Sequence, residues 1–134
     1  MTHEGVVVRP SRLPSAGDGL FATRSFAPGD IVCEYRGNVL STREALQVAD
    51  KSYLMRLGKD VYIDARARLD VAARYINDCR SKGTHNVVFE KNPAQRMATV
   101  RALQVIMPDD ELFVDYGTWY WLAYNLAHKE NPIK

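Results

Sequence analysis

The sequence predicts a mainly β protein in which several small sheets are joined by turns and a few short helices. The first observation is the close spacing of short β-type segments, each bounded by turn-forming residues. The second is that few segments show helical spacing of apolar residues. The third is the length, because 134 residues favour a single domain with one hydrophobic core.

The N-terminal part of the chain predicts three strands. "GVVVRPS" is a strand stopped by Pro10, and "RLPSAGDG" is an exposed loop because Pro14, Gly17 and Gly19 interrupt it. "LFATRSF" is the second strand and "APGD" is a turn. "IVCEYRG" is the third strand, which ends at Gly37.

The middle of the chain predicts a helix followed by a hairpin. Ser41 and Glu44 in "STREALQVAD" fit a capping box, which predicts a helix of two or three turns. "YLMRL", "GKD" and "VYIDA" predict a hairpin with Gly58 in its turn.

The second half predicts one more helix and three strands. In "ARARLDVAARYIND" the apolar spacing predicts a short helix running into "YIND"; the residues that set it are Leu69, Ala72, Ala73 and Ile76. "HNVVFEKN" and "MATVRALQVIM" predict paired strands joined around Asn92 and Pro93. "PDDE" is a turn before a last strand, "LFV".

Composition excludes several classes of protein. The net charge is +2, too small an excess to indicate nucleic-acid binding. Cys33 and Cys79 supply neither a disulfide framework nor a zinc cluster, and no metal is expected; a reducing, intracellular compartment is favoured. No apolar run reaches the roughly 20 residues of a membrane span, and the N-terminus lacks the features of a signal peptide.

Four stretches in order carry a family resemblance: "AGDGLFATRSFAPGDIVCEYRG", "VYIDA", "ARYIND" and "DDELFVDYG". Together they resemble the SET domain of protein lysine methyltransferases. The resemblance implies a β-clip-like fold of several small sheets, with a knot-like crossing in which "ARYIND" passes beside the chain carrying "DYG". Residues 1–134 are then one SET domain, with its core at about 5–121 and a C-terminal tail at about 122–134.

The resemblance also implies a reaction, which is methyl transfer from S-adenosylmethionine to a lysine amine. The amine must approach the methyl carbon opposite the departing sulfur, so cofactor and lysine enter from opposite faces and meet through a narrow channel. A lysine amine has a pKa near 10.4 in water, and a tight apolar channel lowers that pKa by disfavouring the charged form.

The implied cofactor site is formed by two motifs. Gly17, Gly19 and the backbone of Leu20 match the family's cofactor loop, where glycine allows close backbone approach; an ordinary turn is the alternative. Asn77 matches an asparagine that faces the cofactor, because an amide both donates and accepts. Asp78 stands where relatives have histidine, and it replaces that residue if the histidine acts through its backbone.

The implied reaction site is built from tyrosines and apolar residues. Tyr116 in "DYG" matches the catalytic tyrosine that also borders the cofactor, and the alternative is packing at the edge of the core. Tyr35 matches a second catalytic, channel-lining tyrosine, with a core position in its strand as the alternative, and Tyr53 is a further candidate for the wall. Phe89 and Val114 match positions where relatives use a tyrosine hydroxyl to stop at one methyl group. Neither has a hydroxyl, so multiple methylation is predicted.

The tail lacks the cysteine-rich zinc segment that many relatives use to close the cofactor site. Trp119, with Tyr120 and Trp121, occupies the right place to cover the adenine or the sulfonium instead. The alternative is that "WYWLAY" packs a terminal helical turn on the core.

The expected partner is a protein or peptide lysine, with a histone tail favoured and a nuclear, chromatin location if that holds. Neither direct nucleic-acid contact nor a membrane is required, and a homodimer could close the substrate groove. Two alternatives stay open. One is a non-catalytic SET-like binding module, and the other is a methyltransferase of a non-histone protein.

Overall fold

The computed structural model describes residues 2–79 and 85–115. Its elements follow one another in small groups, and their bounds are β1 (Thr2–His3), β2 (Val6–Pro10), β3 (Asp18–Ala22), β4 (Ile31–Tyr35), β5 (Asn38–Leu40), α1 (Thr42–Leu46), β6 (Leu54–Gly58), β7 (Val61–Asp64), a 3-10 helix (Ala72–Tyr75), β8 (Asn77–Asp78), β9 (Val87–Asn92), a second 3-10 helix (Pro93–Gln95), β10 (Met97–Ala102) and β11 (Phe113–Val114). The mainly β prediction is confirmed.

Four small sheets make up the described part of the chain. Three are antiparallel and three-stranded, with strand orders β1-β2-β3, β4-β10-β9 and β5-β7-β6. The fourth is the parallel pair of β8 and β11. The predicted hairpin of β6 with β7 and the predicted pairing of β9 with β10 are therefore confirmed.

The core lies where these sheets face one another. Residues from all parts of the described chain are fully buried there, including Val6, Leu20, Ile63, Val100 and Leu112. Burying one such side chain contributes about 1.5–3 kcal/mol relative to exposure. No helix within residues 2–79 and 85–115 is long and apolar enough to cross a membrane.

Helix α1 begins as predicted but is shorter than predicted. The Ser41 side chain accepts a hydrogen bond from the Glu44 N–H, and the Glu44 carboxylate accepts one from the Ser41 N–H, so the capping box is present. The helix nevertheless ends at Leu46, which is 72% exposed, and Ala45 is its buried residue. A helix with so little apolar contact is not extended by packing.

The predicted helix running into "YIND" is wrong beyond Tyr75. A 3-10 turn ends there, and Asn77 and Asp78 form β8 instead. Leu69, placed on the buried face by the helical spacing, is 58% exposed. Pairing with β11 satisfies the backbone of this segment, and local periodicity cannot reveal a partner that lies about 35 residues away in sequence.

Gly58 ends β6, opposite Val61, so the turn lies one residue later than predicted. Asp60 in that turn has φ +57°. A Cβ at Gly58 would lie 3.1 Å from Cγ of Pro93. Glycine at this position therefore leaves room for the second 3-10 helix against the hairpin.

The pairing of β8 with β11 brings the "ARYIND" segment beside the chain that leads into "DYG". Phe113 pairs with Asn77 and Val114 with Asp78, and the Cys79 N–H donates to the Val114 carbonyl at 2.9 Å. This is the neighbourhood that the resemblance predicted for these two motifs.

Candidate active site

The glycine-containing loop is fastened by one buried carboxylate. Glu111 is 4% exposed, and its Oε2 accepts a hydrogen bond from the Ser11 hydroxyl at 2.6 Å. Its Oε1 accepts from the Arg12 N–H at 2.9 Å. The Ser11 N–H in turn donates to the Gly17 carbonyl at 2.8 Å, which closes the loop. The conformation of this loop therefore depends on Glu111.

The two loop glycines are needed for different reasons. Gly17 has φ +70°, a conformation that favours glycine, and no heavy atom of residues 2–79 and 85–115 lies within 4 Å of a Cβ built there. At Gly19 a Cβ would lie 2.3 Å from Oε2 of Glu111, so a side chain would displace the carboxylate. Leu20 is a core residue, and its carbonyl accepts from the Leu112 N–H at 2.8 Å. The space beside Gly17 is thus open to a ligand.

Asn77 joins the second predicted cofactor motif to this loop. Its Nδ2 donates to the Asp18 carbonyl at 3.0 Å, and Asp18 lies between the two glycines. Two motifs that are about 60 residues apart in sequence therefore meet at one place. Together the two motifs offer a ligand backbone carbonyls, the side-chain amide of Asn77 and the open surface at Gly17.

Asp78 lies at the inner end of the same strand and is 5% exposed. A carboxylate oxygen of Asp78, Sγ of Cys79 and a carboxylate oxygen of Asp115 all lie within 4.8 Å of one another. A metal ion could bridge such a spacing, but exposed acidic groups such as Asp115 commonly cluster without one. No metal role is assigned to this cluster.

A cavity of about 320 Å³ lies beside the end of β11. Strands β6 and β9 form its two long walls, and their lining residues are Leu54, Met55, Arg56, Val88, Phe89 and Lys91. Tyr35, Ser52, Val114 and Asp115 complete the lining. Asp115 therefore borders both the cavity and the cluster with Asp78, which makes the cavity and the cofactor motifs neighbours.

Tyr35 is an anchored part of the cavity wall. It is 4% exposed, and its hydroxyl donates to the Tyr53 carbonyl at 2.9 Å. Its ring centroid lies 5.5 Å from that of Phe89, at an interplanar angle of 51°. Tyr53 contributes that carbonyl, and its ring centroid lies 4.2 Å from the Arg74 guanidinium; Tyr53 is not among the described residues that line this cavity.

The Cys33 thiol is unsuited to nucleophilic chemistry. Burial, reinforced by the negative charge of Glu34, raises its pKa to about 12. The thiol therefore stays protonated near neutral pH, and the protonated form is a poor nucleophile.

The structure brings the segment of Asn77 and Asp78 to the loop of Gly17 and Gly19. It places Tyr35, Phe89 and Val114 in the lining of the cavity. Tyr116 and Trp119, with Tyr120 and Trp121, lie outside the described residues.

Sequence reasoning missed Glu111, Met55, Arg56 and Lys91. A single residue within a predicted strand, such as Met55, Arg56 or Lys91, or within a predicted turn, such as Glu111, gives no signal of its own. Alternation within "LMRLG" and "VVFEKN" could have shown which residues share a face, but not that the two faces enclose a cavity.

The fold and the site define a SET-domain protein. The family model for the SET domain matches residues 17–117, so the chain belongs to the SET-domain family and the resemblance is confirmed. That span contains the glycine loop, β8 and the cavity-lining strands.

Similar curated proteins are named as lysine methyltransferases. N-lysine methyltransferase KMT5A of Xenopus tropicalis is 31% identical over 112 residues, which are 75% of this chain and 33% of KMT5A. Histone-lysine N-methyltransferase EZH2 of Chaetomium thermophilum is 30% identical over 127 residues, covering 85% of this chain and 8% of EZH2. The chain therefore spans about a third or less of the length of these relatives.

A solved structure shares the fold. A chain in the crystal structure of an active polycomb repressive complex 2 in the basal state matches with a TM-score of 0.69 and 28% identity. The match covers 84% of this chain and 15% of that chain.

Proposed function

We propose that this chain is an S-adenosylmethionine-dependent protein-lysine N-methyltransferase whose substrate is a lysine in a histone tail. One observation carries the proposal. The cofactor motifs are joined by the hydrogen bond from Asn77 to the Asp18 carbonyl, and Asp115 borders both the cluster with Asp78 and a cavity lined by Tyr35 and Phe89. A direct displacement requires a cofactor site and an amine site that meet, since nucleophile and leaving group must be in line.

The cofactor side has groups that suit a zwitterionic nucleoside. S-adenosylmethionine, when bound, supplies a methyl group on a sulfonium sulfur, which the lysine amine accepts by in-line displacement. The open surface at Gly17, the backbone beside Gly19 and Leu20, and the polar side chains of Asn77 and Asp78 fit its amino-acid, ribose and adenine groups. We assign Trp119 to the cover of this site.

The cavity would hold the substrate lysine and favour its neutral amine over the ammonium ion. Met55, Phe89 and Val114 offer an apolar surface that disfavours an ammonium ion and so lowers the pKa of an entering amine. The Tyr35 hydroxyl donates to the Tyr53 carbonyl, which fixes the orientation of this side chain in the cavity lining. Positioning of this kind can supply several of the roughly 7–11 kcal/mol available from alignment. We assign to Tyr116 the catalytic hydroxyl.

The cavity supports transfer of more than one methyl group. Phe89 and Val114 both line it, and neither side chain has a hydroxyl that would restrain a partly methylated amine. The tilted packing of Phe89 on Tyr35 leaves the wall apolar at this point. We therefore include di- or trimethylation in the proposal, and nuclear location at chromatin follows if the substrate is a histone. The homodimer expected from the sequence stays a prediction.

Calorimetric titration with S-adenosylmethionine, followed by transfer of tritiated methyl groups to core histones and to whole-cell lysate, tests the proposal. Binding together with label in histones supports it. Label in lysate proteins but not in histones supports a non-histone substrate. The absence of binding heat and of transfer would support the non-catalytic module, for which Asp78 in place of histidine is the motivating residue.

A further inference from the structure

The mouth of the cavity carries two cationic side chains that the proposed reaction does not use. Arg56 stands on β6 and Lys91 on β9, so one lies on each long wall, and both residues are exposed. A substrate chain that inserts a lysine between these walls passes both of them. Side chains next to the target lysine would therefore lie within their electrostatic field.

Neither cation is neutralised by the described residues around it. Arg56 donates from Nε to the Gly58 carbonyl at 3.2 Å, which leaves its charge uncompensated. Neither residue takes part in any of the four ion pairs between described residues, and Lys91 makes no side-chain hydrogen bond with them.

The acids nearest in sequence are already held elsewhere. Glu90, the neighbour of Lys91, pairs with Arg101 at 2.8 Å. Asp60, beyond the end of β6, accepts a hydrogen bond from the Thr42 N–H at 2.8 Å, and this bond lowers the pKa of its carboxyl. These carboxylates are thus occupied within the protein.

The acid that does line the cavity stands on neither β6 nor β9. Asp115 follows Val114, is exposed, and has a carboxylate oxygen within 4.8 Å of Asp78 and Cys79 ligand atoms. Among the described lining residues, the outer walls therefore carry two positive charges and no negative one.

We infer that this chain selects target lysines that have an aspartate or glutamate within about three residues along the substrate. The inference rests on the proposed function and narrows its substrate class. An acidic neighbour gains attraction from Arg56 and Lys91, whereas an arginine or lysine neighbour is repelled, and such charge matching mainly sets specificity. A tail lysine surrounded by basic residues is then the poorer substrate.

The expected effect is moderate because both cations are exposed. Exposed ion pairs are weak. Each cation that contacts an acidic neighbour should therefore change kcat/KM by about two- to fivefold relative to the neutral peptide. Screening at high ionic strength should reduce the preference, because the charges interact through water. If Arg56 and Lys91 only keep the surface hydrated, the rate should not depend on the charge of the residues next to the target lysine.

Matched peptides test the inference. Each has one central lysine and either glutamate, glutamine or lysine at a single flanking position, from three residues before to three after. Methyl transfer is measured for wild type, Arg56→Glu, Lys91→Glu and the double variant. Lys59→Glu is the control, since it makes the same charge change in the adjoining turn without lining the cavity.

Wild type and Lys59→Glu should methylate a glutamate peptide faster than its lysine counterpart, and the double variant should reverse the order. Equal rates for the glutamate and lysine peptides, or a preference that survives both cavity substitutions, would overturn the inference while leaving the proposed function intact. Transfer to none of the peptides, with no binding of S-adenosylmethionine, would overturn both.

Discussion

Replacing Glu111 with glutamine should loosen the loop that carries the predicted cofactor residues. The substitution keeps the size of the side chain and removes its charge. Glu111 is 4% exposed and accepts hydrogen bonds from the Ser11 hydroxyl and the Arg12 N–H. These two bonds connect the end of the chain's described part to the loop at residues 11–19.

The magnitude follows from these contacts. Glutamine retains one oxygen, which can still accept from Arg12, but its amide nitrogen then faces the Ser11 oxygen. An amide nitrogen does not accept hydrogen bonds, so the Ser11 hydrogen loses its partner, while the Ser11 oxygen still accepts from the Leu13 N–H at 3.0 Å. A hydrogen bond to a charged group contributes about 1.5–3 kcal/mol, and the loss of one sets the expected fall in the free energy of unfolding.

Urea unfolding followed by circular dichroism measures this fall, which at a slope of about 2 kcal/mol per molar corresponds to a midpoint lower by about 1 M. Asp109→Asn is the matched control. Asp109 joins the same two parts of the chain through Arg9 at 3.0 Å, but its side chain is 71% exposed. That pair should contribute less than about 1 kcal/mol. Equal midpoints for Glu111→Gln and Asp109→Asn would refute the role given to Glu111.

Three further predictions concern the proposed reaction. Asn77→Ala should abolish heat release on titration with S-adenosylmethionine without changing the circular dichroism spectrum; undiminished binding would remove Asn77 from the site. Tyr116→Phe should slow methyl transfer at least about tenfold, equivalent to about 1.4 kcal/mol of activation barrier, with cofactor affinity nearly preserved. A turnover equal to that of wild type would favour the alternative that Tyr116 packs at the edge of the core. Val114→Tyr or Phe89→Tyr should shift the product toward monomethyl-lysine in time-resolved mass spectrometry; a wild-type enzyme that stops at one methyl group under excess cofactor would contradict the open-cavity interpretation.

Local signals predicted the antiparallel parts of the fold well. The capping box of Ser41 and Glu44 is present, and the strands on either side of Pro93 pair with each other. Both features are encoded within a few residues, which is why the sequence reveals them. The predicted helix into Asn77 failed because a parallel partner from a distant segment determines that backbone.

The sequence predicted the motifs of the candidate site but not the side-chain contacts that surround them. The sequence indicated Gly19 as a glycine for ligand approach, whereas the structure adds that the Glu111 carboxylate occupies the space of a Cβ. Tyr53 as a channel wall stays a prediction; the structure adds that Arg74 lies 4.2 Å from its ring centroid. Both additions come from contacts between residues far apart in sequence, which neither spacing nor composition encodes.

Heavy-methyl labelling tests directly whether this chain transfers a methyl group from S-adenosylmethionine to a protein lysine. The purified chain is incubated with S-adenosylmethionine carrying a trideuterated methyl group and with core histones or lysate, and the products are analysed by tandem mass spectrometry. We expect trideuterated methyl groups on lysine side-chain nitrogens. We expect Tyr116→Phe to give at least about tenfold less product at early times. Cofactor binding without any labelled lysine in either preparation would contradict the proposed methyltransferase activity.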